Sequence, residues 1–179
     1  MPIIPLSIPS RISEISERRN KAVKQSEKTN VMRILNQAKI PYQSYSVPAT
    51  GEHTAVDLAK MLGEDPARVF KTLVTVGKSG NHYVFMVPAE KGLHLKKAAA
   101  AVGEKSVEMI KAKELLPLTG YIHGGCSPIG MKKQFVTVIH ETAPSFETIF
   151  FSAGKIGYQI EMPFSSLQQI IRISACDIV

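Results

Sequence analysis

Tryptophan is absent from this 179-residue chain, and cysteine occurs only twice, at positions 126 and 176. Separated by fifty positions and outside any CxxC, the two cysteines offer neither a disulfide framework nor a dithiol redox motif. His123-x-x-Cys126 has a spacing that metals can use, but a structural zinc site needs four ligands and no second pair follows at matching spacing. No metal and no cofactor are therefore expected. Also lacking is any apolar run near the roughly 18 to 20 residues that a membrane span requires. The opening MPIIPLSIPS is too short and too proline-broken for a signal-peptide core, so a cytoplasmic protein is the expectation. No internal repeat is evident.

What is present is ordinary for a globular protein. Hydrophobic residues make up 44% and charged residues 21%, which excludes wholesale disorder and a collagen-like repeat, and the length fits one domain. Lys and Arg number 22 against 15 Asp and Glu, a net charge of +7. Residues 1–30 hold six basic and three acidic side chains and so carry +3, leaving +4 for the remainder. A body this mildly basic suits contact with a few phosphates and argues against a protein wrapped around duplex DNA.

Residues 1–29 combine prolines with a polar stretch of alternating charge that lacks a continuous apolar stripe, and they read as an N-terminal extension. A domain over 30–179 follows. Thr29 or Asn30 caps a helix over 31–39, stopped by Pro41. Tyr42 to Val47 alternates as a strand, and Thr54 to Leu62 reads as a helix closed by Gly63. Asp65-Pro66 opens a single turn. Val69 to Val76 and His82 to Val87 form a hairpin around Gly77 to Asn81. Leu95 to Val102 is helical, Ser106 to Met109 a brief strand, and Lys111 to Leu116 a short helix stopped by Pro117. Phe135 to His140, Thr148 to Ser152 and Tyr158 to Met162 read as strands. A last helix covers Ser165 to Ile171, with Ser165 and Gln168 at capping-box spacing. Strands joined both by a hairpin and across helices predict an α+β fold with a mixed sheet rather than a doubly wound parallel one.

Two features could carry chemistry. The stretch from Gly120 to Gly130 holds four glycines and a proline in eleven residues. Without Cβ atoms at Gly124 and Gly125, consecutive amides can converge on an anion or a developing oxyanion, and Pro128 stiffens the exit. A plain tight loop explains the same composition. The stretch matches neither a dinucleotide fingerprint nor a P-loop, and Ser127 lies outside a GxSxG elbow. Lys71 interrupts an otherwise apolar strand. Facing a cleft, it would suit an anionic or carbonyl-bearing substrate; on the solvent face of a sheet it would be unremarked. Cys126 beside His123 is a candidate nucleophile, or a small packing residue.

Val69-Phe70-Lys71-Thr72-Leu73, then Leu95-Lys96-Lys97, Gly120-Tyr121, Gly124-Gly125-Cys126-Ser127-Pro128-Ile129-Gly130 with Lys132-Lys133, and Ser152-Ala153-Gly154-Lys155-Ile156-Gly157 occur in one order. Together they resemble the YbaK family, stand-alone relatives of the bacterial prolyl-tRNA synthetase editing domain that deacylate Cys-tRNA(Pro). The resemblance runs from about residue 30 to the C-terminus. It implies a mixed, strongly curved central sheet and a pocket for the aminoacylated 3′ end of tRNA, with prolyl-tRNA synthetase as a candidate partner. It implies that Lys71 positions the ester and phosphate end, that Gly125 and Ser127 take part in catalysis within the loop, and that Gly124, Cys126, Pro128, Gly130, Ser152, Gly154 and Gln159 bind substrate. Lys96, Lys97, Lys132, Lys133 and Lys155 are candidates for the phosphate footprint, or solvated surface. Gln159 stands where relatives often carry aspartate, and Val47 where some carry tyrosine.

For such enzymes the resemblance implies attack by the substrate's own thiol on its carbonyl, releasing tRNA and a cyclic thiolactone. A well-placed intramolecular nucleophile contributes roughly 7 to 11 kcal/mol, against about 3 kcal/mol for one oxyanion donor. Shape alone separates one methylene by only about 1 to 3 kcal/mol, whereas requiring a thiol excludes proline and alanine by chemistry. Three readings compete: trans-editing of Cys-tRNA(Pro), with Ala-tRNA(Pro) as another substrate; a non-catalytic module binding a tRNA end or a regulatory partner in the same cleft; and a thiol-dependent hydrolase centred on Cys126.

Overall fold

The structure is a computed structural model and describes residues 28–48, 51 and 53–179. The extension expected over 1–29 lies, apart from its last two residues, outside the described residues.

Local signals set the elements. Thr29 caps α1 (Asn30–Gln37) by accepting the Met32 N–H on its hydroxyl, and Val31, Met32 and Leu35 form the buried stripe. The short strand β1 (Gln43–Ser46) leads to α2 (Ala55–Leu62). There Thr54 and Asp57 form a capping box, which holds the Asp57 carboxyl below its usual range, and Gly63 closes the helix at φ 69°. A 3₁₀ turn (Pro66–Arg68) enters the hairpin of β2 (Phe70–Gly77) and β3 (His82–Pro88). Next come α3 (Leu95–Val102), β4 (Val107–Met109), α4 (Ala112–Thr119) and β5 (Val136–His140). The chain ends with β6 (Ile149–Ser152), β7 (Tyr158–Met162), α5 (Phe164–Leu167) and β8 (Ile173–Cys176).

The mixed α+β class is as expected, but the strands divide into two sheets. One has the order β4-β2-β3-β5-β8, with β5 parallel to both neighbours; the other is antiparallel, β1-β7-β6. A single parallel bridge between Val69 and Phe150 joins them. The main core, with Phe70, Val84, Met86, Ile139, Phe151 and Ile160, draws on both sheets and is closed by α1. Alternation places Phe150 in a second cluster with Leu58 and Leu62 of α2, and Phe85 and Val87 in a third with Ala98 and Ala99 of α3.

Three expectations change. Pro117 does not stop α4, which runs on to Thr119 and ends at Gly120 (φ 84°). The missing amide orphans only the carbonyl of exposed Lys113, and the later carbonyls find other donors: Thr119 Oγ1 to Leu115 O at 2.7 Å and Lys132 Nζ to Pro117 O at 3.3 Å. Helix α5 begins before Ser165 and ends at Leu167, with no side-chain cap; tight turns carry the chain to Ile171. Beyond it Ile173–Cys176 pairs with β5 as a strand not expected from the sequence.

Candidate functional site

The cleft arises where the sheets part. Along the outer edge of β2, β6 touches at Val69 and β4 pairs only Thr75 to Gly77, with the Ile110 N–H donating to the Val74 carbonyl. Between these contacts the edge from Phe70 to Leu73 has no strand partner among the described residues. A cleft of about 300 Å³ opens there. Its wall draws on all three apolar clusters: Leu58, Val69 and Ala89 from the second, Phe70, Leu115 and Cys126 from the main core, and Leu73 beside the third.

Lys71, Gly124, Cys126, Ser152 and Gln159 line this one cleft, with His53, Thr72 and His123. The Lys71 ammonium donates to the Ala89 carbonyl at 3.2 Å, and burial lowers its pKa below the ordinary lysine value. Ser152 and Gln159 stand opposite each other on β6 and β7. Ser152 Oγ accepts the Gly154 N–H at 3.2 Å, which leaves the hydroxyl proton to donate.

The glycine loop is a built turn rather than a slack one. Gly124 has φ 82°, and the Gly125 N–H is spent on the Ile122 carbonyl at 3.0 Å. The loop donors still available are therefore not Gly125 but the N–H groups of Gly124 and Cys126, two cleft-lining residues whose amides make no hydrogen bond among the described residues. Gly125 serves close approach instead: a Cβ there would stand 3.1 Å from the Ile156 nitrogen. Ser127 does not reach the cleft either; it is fully buried, and its Oγ accepts the Ile129 N–H at 3.3 Å. Pro128 and Gly130 line a separate depression of about 220 Å³ with Lys133 and Arg172.

Cys126 is a poor nucleophile in this setting. Burial pushes its thiol up to about 12, so it stays protonated at neutral pH. Among the lysines, Lys97 is engaged by Asp177 at 2.7 Å and the Val179 O at 2.6 Å, while Lys132 reaches Pro117 and Lys155 lies over the Tyr158 ring at 5.1 Å. Lys96 and Lys133 are exposed.

Gly154 supports the loop from behind. Its φ is 88°, and an added Cβ would stand 2.9 Å from Tyr121 Cε1 and 3.1 Å from Val31 Cγ2. Tyr121 cannot swing away, because its buried hydroxyl donates to the Ile129 carbonyl at 2.5 Å. Gly154→Ala is expected to cost about 3 kcal/mol, combining left-handed backbone strain with overpacking. Gly80→Ala, with φ 89° and nothing within 4 Å, should carry only the backbone share of about 1 kcal/mol. Equal melting temperatures for the two variants would exclude the Tyr121 contact as the cause.

A family model described as an aminoacyl-tRNA editing domain matches residues 50–170, which includes β2, the glycine loop and the β6–β7 wall. The chain belongs to the aminoacyl-tRNA editing domain family. A relative from Enterococcus faecalis (strain ATCC 700802 / V583), the proposed Cys-tRNA(Pro)/Cys-tRNA(Cys) deacylase EbsC, is 49% identical over 140 residues, covering 78% of this chain and 85% of the relative. Two crystal structures share the editing-domain fold. One is a proposed trans-editing enzyme for prolyl-tRNA synthetase, with TM-score 0.74, 23% identity and coverage of 83% and 93% of the two chains. The other is a hypothetical protein, with TM-score 0.75, 22% identity and coverage of 85% and 99%.

The sequence reading of this editing domain missed His53 and Thr72 as cleft residues. For His53 a signal existed: it occupies the position before the Thr54 cap, and Leu58 sits four residues after that cap. Residues so placed converge on one face of a helix start. Thr72 gave none, being one more β-branched residue in a strand.

Proposed function

We propose that this editing domain deacylates Cys-tRNA(Pro) and Cys-tRNA(Cys), the substrates in the name of its 49% identical relative, and that the attacking group is the substrate's own thiol. The observation that carries the reading is a cleft that sets a cation beside loop amides while its cysteine and the loop serine are unfit to attack. Lys71, Gly124 and Cys126 line it together, while the Cys126 thiol is held protonated and Ser127 is buried in a turn.

In this reading the Lys71 ammonium takes the negative end of the substrate. The Gly124 and Cys126 N–H groups meet the oxygen on which charge develops. The cysteine sulfur bonds to the carbonyl carbon, the ester bond to the ribose breaks, and the thiol proton ends on the ribose hydroxyl. Cysteine leaves as a cyclic thiolactone, whose C–S bond water then opens in solution to give free cysteine. The mostly apolar wall excludes water, which favours the intramolecular route over hydrolysis.

In this reading the protein works in the cytoplasm, where charged tRNA is made. Lys96, Lys132, Lys133 and Lys155 are the phosphate contacts in this proposal, and Lys97, tied to Asp177, is the weakest of the five. So few contacts select poorly among tRNAs, and prolyl-tRNA synthetase is the partner that would supply selectivity.

The test is a panel of mischarged tRNAs. Released cysteine is expected from Cys-tRNA(Pro), with Ala-tRNA(Pro) slower by about five orders of magnitude, the scale of a lost intramolecular nucleophile. Cys126→Ala should keep full turnover, and its loss would restore the thiol-dependent hydrolase. Tight tRNA binding without release of any amino acid would instead favour the binding module, the reading that Gln159 in the cleft wall supports.

A further inference from the structure

Two side-chain atoms of this cleft have no use in the steps above. His53 Nε2 and Thr72 Oγ1 are buried and have no hydrogen-bond partner among the described residues, and both residues line the cleft that holds Lys71. Orphaned polar atoms are uncommon, because each gives up its water without compensation. Two around one cleft mark a wall with hydrogen-bonding capacity to offer a ligand.

Their position indicates which part of a ligand they meet. Successive residues of a strand point to opposite faces. Lys71 turns toward the Ala89 carbonyl, whereas Thr72 shares a face with Phe70 and Val74, which pack in the main core with Leu115 and Cys126. The hydroxyl of Thr72 therefore stands on the inner, apolar side, away from the cation. The peptide groups of Thr72 add to this. The Val74 carbonyl faces β4, so two residues earlier the Thr72 N–H and C=O face the same edge, where no strand covers them. His53 joins the lining from the position before the Thr54 cap of α2. Neither atom is open to solvent, and both belong to residues that line the cleft.

We propose that His53 and Thr72 form the hydrogen-bonding pair that reads the aminoacyl group, holding the polar group next to the scissile carbonyl, either the α-amino group or the thiol. This rests on the deacylase reading for the choice of ligand. The pair determines which amino acid is seated, while Lys71 holds the opposite, nucleotide end.

Three non-hydrolysable 3′-amide analogues of aminoacyl-adenosine test it as ligands of the full chain: cysteinyl, alanyl, which lacks the thiol, and 3-mercaptopropionyl, which lacks the amine. Thr72→Val removes the hydroxyl at constant shape, and His53→Phe removes the ring nitrogens. Each is expected to weaken the cysteinyl analogue about tenfold, the effect of one neutral hydrogen bond, without lowering the melting temperature. Thr72→Ser and His53→Gln should recover most of the loss. If the amine is the group read, the alanyl analogue weakens as well and the mercaptopropionyl analogue does not; if the thiol is read, the reverse holds. Uniform weakening of all three, no weakening of any, or failure of every analogue to bind the wild type would overturn the assignment. Analogue binding that follows the expected pattern, in a protein that releases no amino acid from any tRNA, would overturn the deacylase reading and leave the pair standing.

Discussion

Lys71→Ala is expected to lower deacylation of Cys-tRNA(Pro) by two to three orders of magnitude while leaving the fold as stable as before. The kinetic part follows from position. Among the described residues Lys71 is the one lysine or arginine lining the cleft, and Gly124 and Cys126 line it too. Removing one group that stabilises developing charge costs about 3 to 4 kcal/mol of transition-state stabilisation. The loss should fall mainly on kcat.

The stability part follows from the sign of the pKa shift. Burial lowers the Lys71 pKa from 10.5, so folding opposes the charged form. Between the folded value and 10.5 the unfolded chain binds more protons, and stability rises with pH across that window. At neutral pH the ammonium is a net cost to folding, offset in part by its bond to the Ala89 carbonyl. Lys71→Met should therefore melt no lower than wild type. Its removal should also flatten the alkaline rise in stability, which thermal melts between pH 7 and 10 would read. An inactive variant that also melts far lower would make Lys71 a structural residue, and an active one would remove it from the site.

Lysine 71 shows why part of this site was legible. A charge inside an apolar strand is costly unless it has a use, and the sequence displays that conflict directly. The glycines of the loop were legible for the same reason, since four in eleven residues announce a constrained backbone. Their assignment was not. That the Gly125 amide is consumed by Ile122 depends on a turn geometry that composition does not determine, and that Ser127 turns inward depends on the Ile129 amide. The fold divides likewise. Helix starts at Thr29, Thr54 and Asp65 were readable because capping is local. The division into two sheets was not, because it turns on where β4 and β6 leave the edge of β2, a matter of register between segments far apart in sequence. Nor was β8, whose four residues of small or β-branched type become a strand only because β5 offers an edge.

The joint between the sheets predicts a loss of stability on the scale of Gly154→Ala. Arg68 ends the 3₁₀ turn just before the Val69–Phe150 bridge, and its guanidinium ties three segments together. It donates to Glu64 at 3.2 Å, to Glu161 of β7 at 3.2 Å, and to the carbonyl and hydroxyl of Thr148, and it lies 5.0 Å from the centre of the Phe150 ring. Glu161 in turn accepts from Tyr45 of β1 at 2.6 Å and from Thr148 at 2.7 Å. The carboxylate side chains are only 7% and 11% exposed. Arg68→Met keeps much of the packing over Phe150 but takes from the poorly solvated Glu161 carboxylate the cation it pairs with. Breaking a buried pair in this way costs about 3 to 5 kcal/mol, and the partly exposed arginine argues for the lower end. For a chain of this size that is a fall in melting temperature of roughly 6 to 12 °C. Adding Glu161→Gln removes that stranded charge and should recover part of the loss. Because Val69 and Phe70 are also cleft wall, Arg68→Met should raise KM for the charged tRNA below its melting temperature, with kcat held by the untouched Lys71. A melting temperature within a degree or two of wild type would mean that the Val69–Phe150 bridge and apolar packing hold the sheets together without this network.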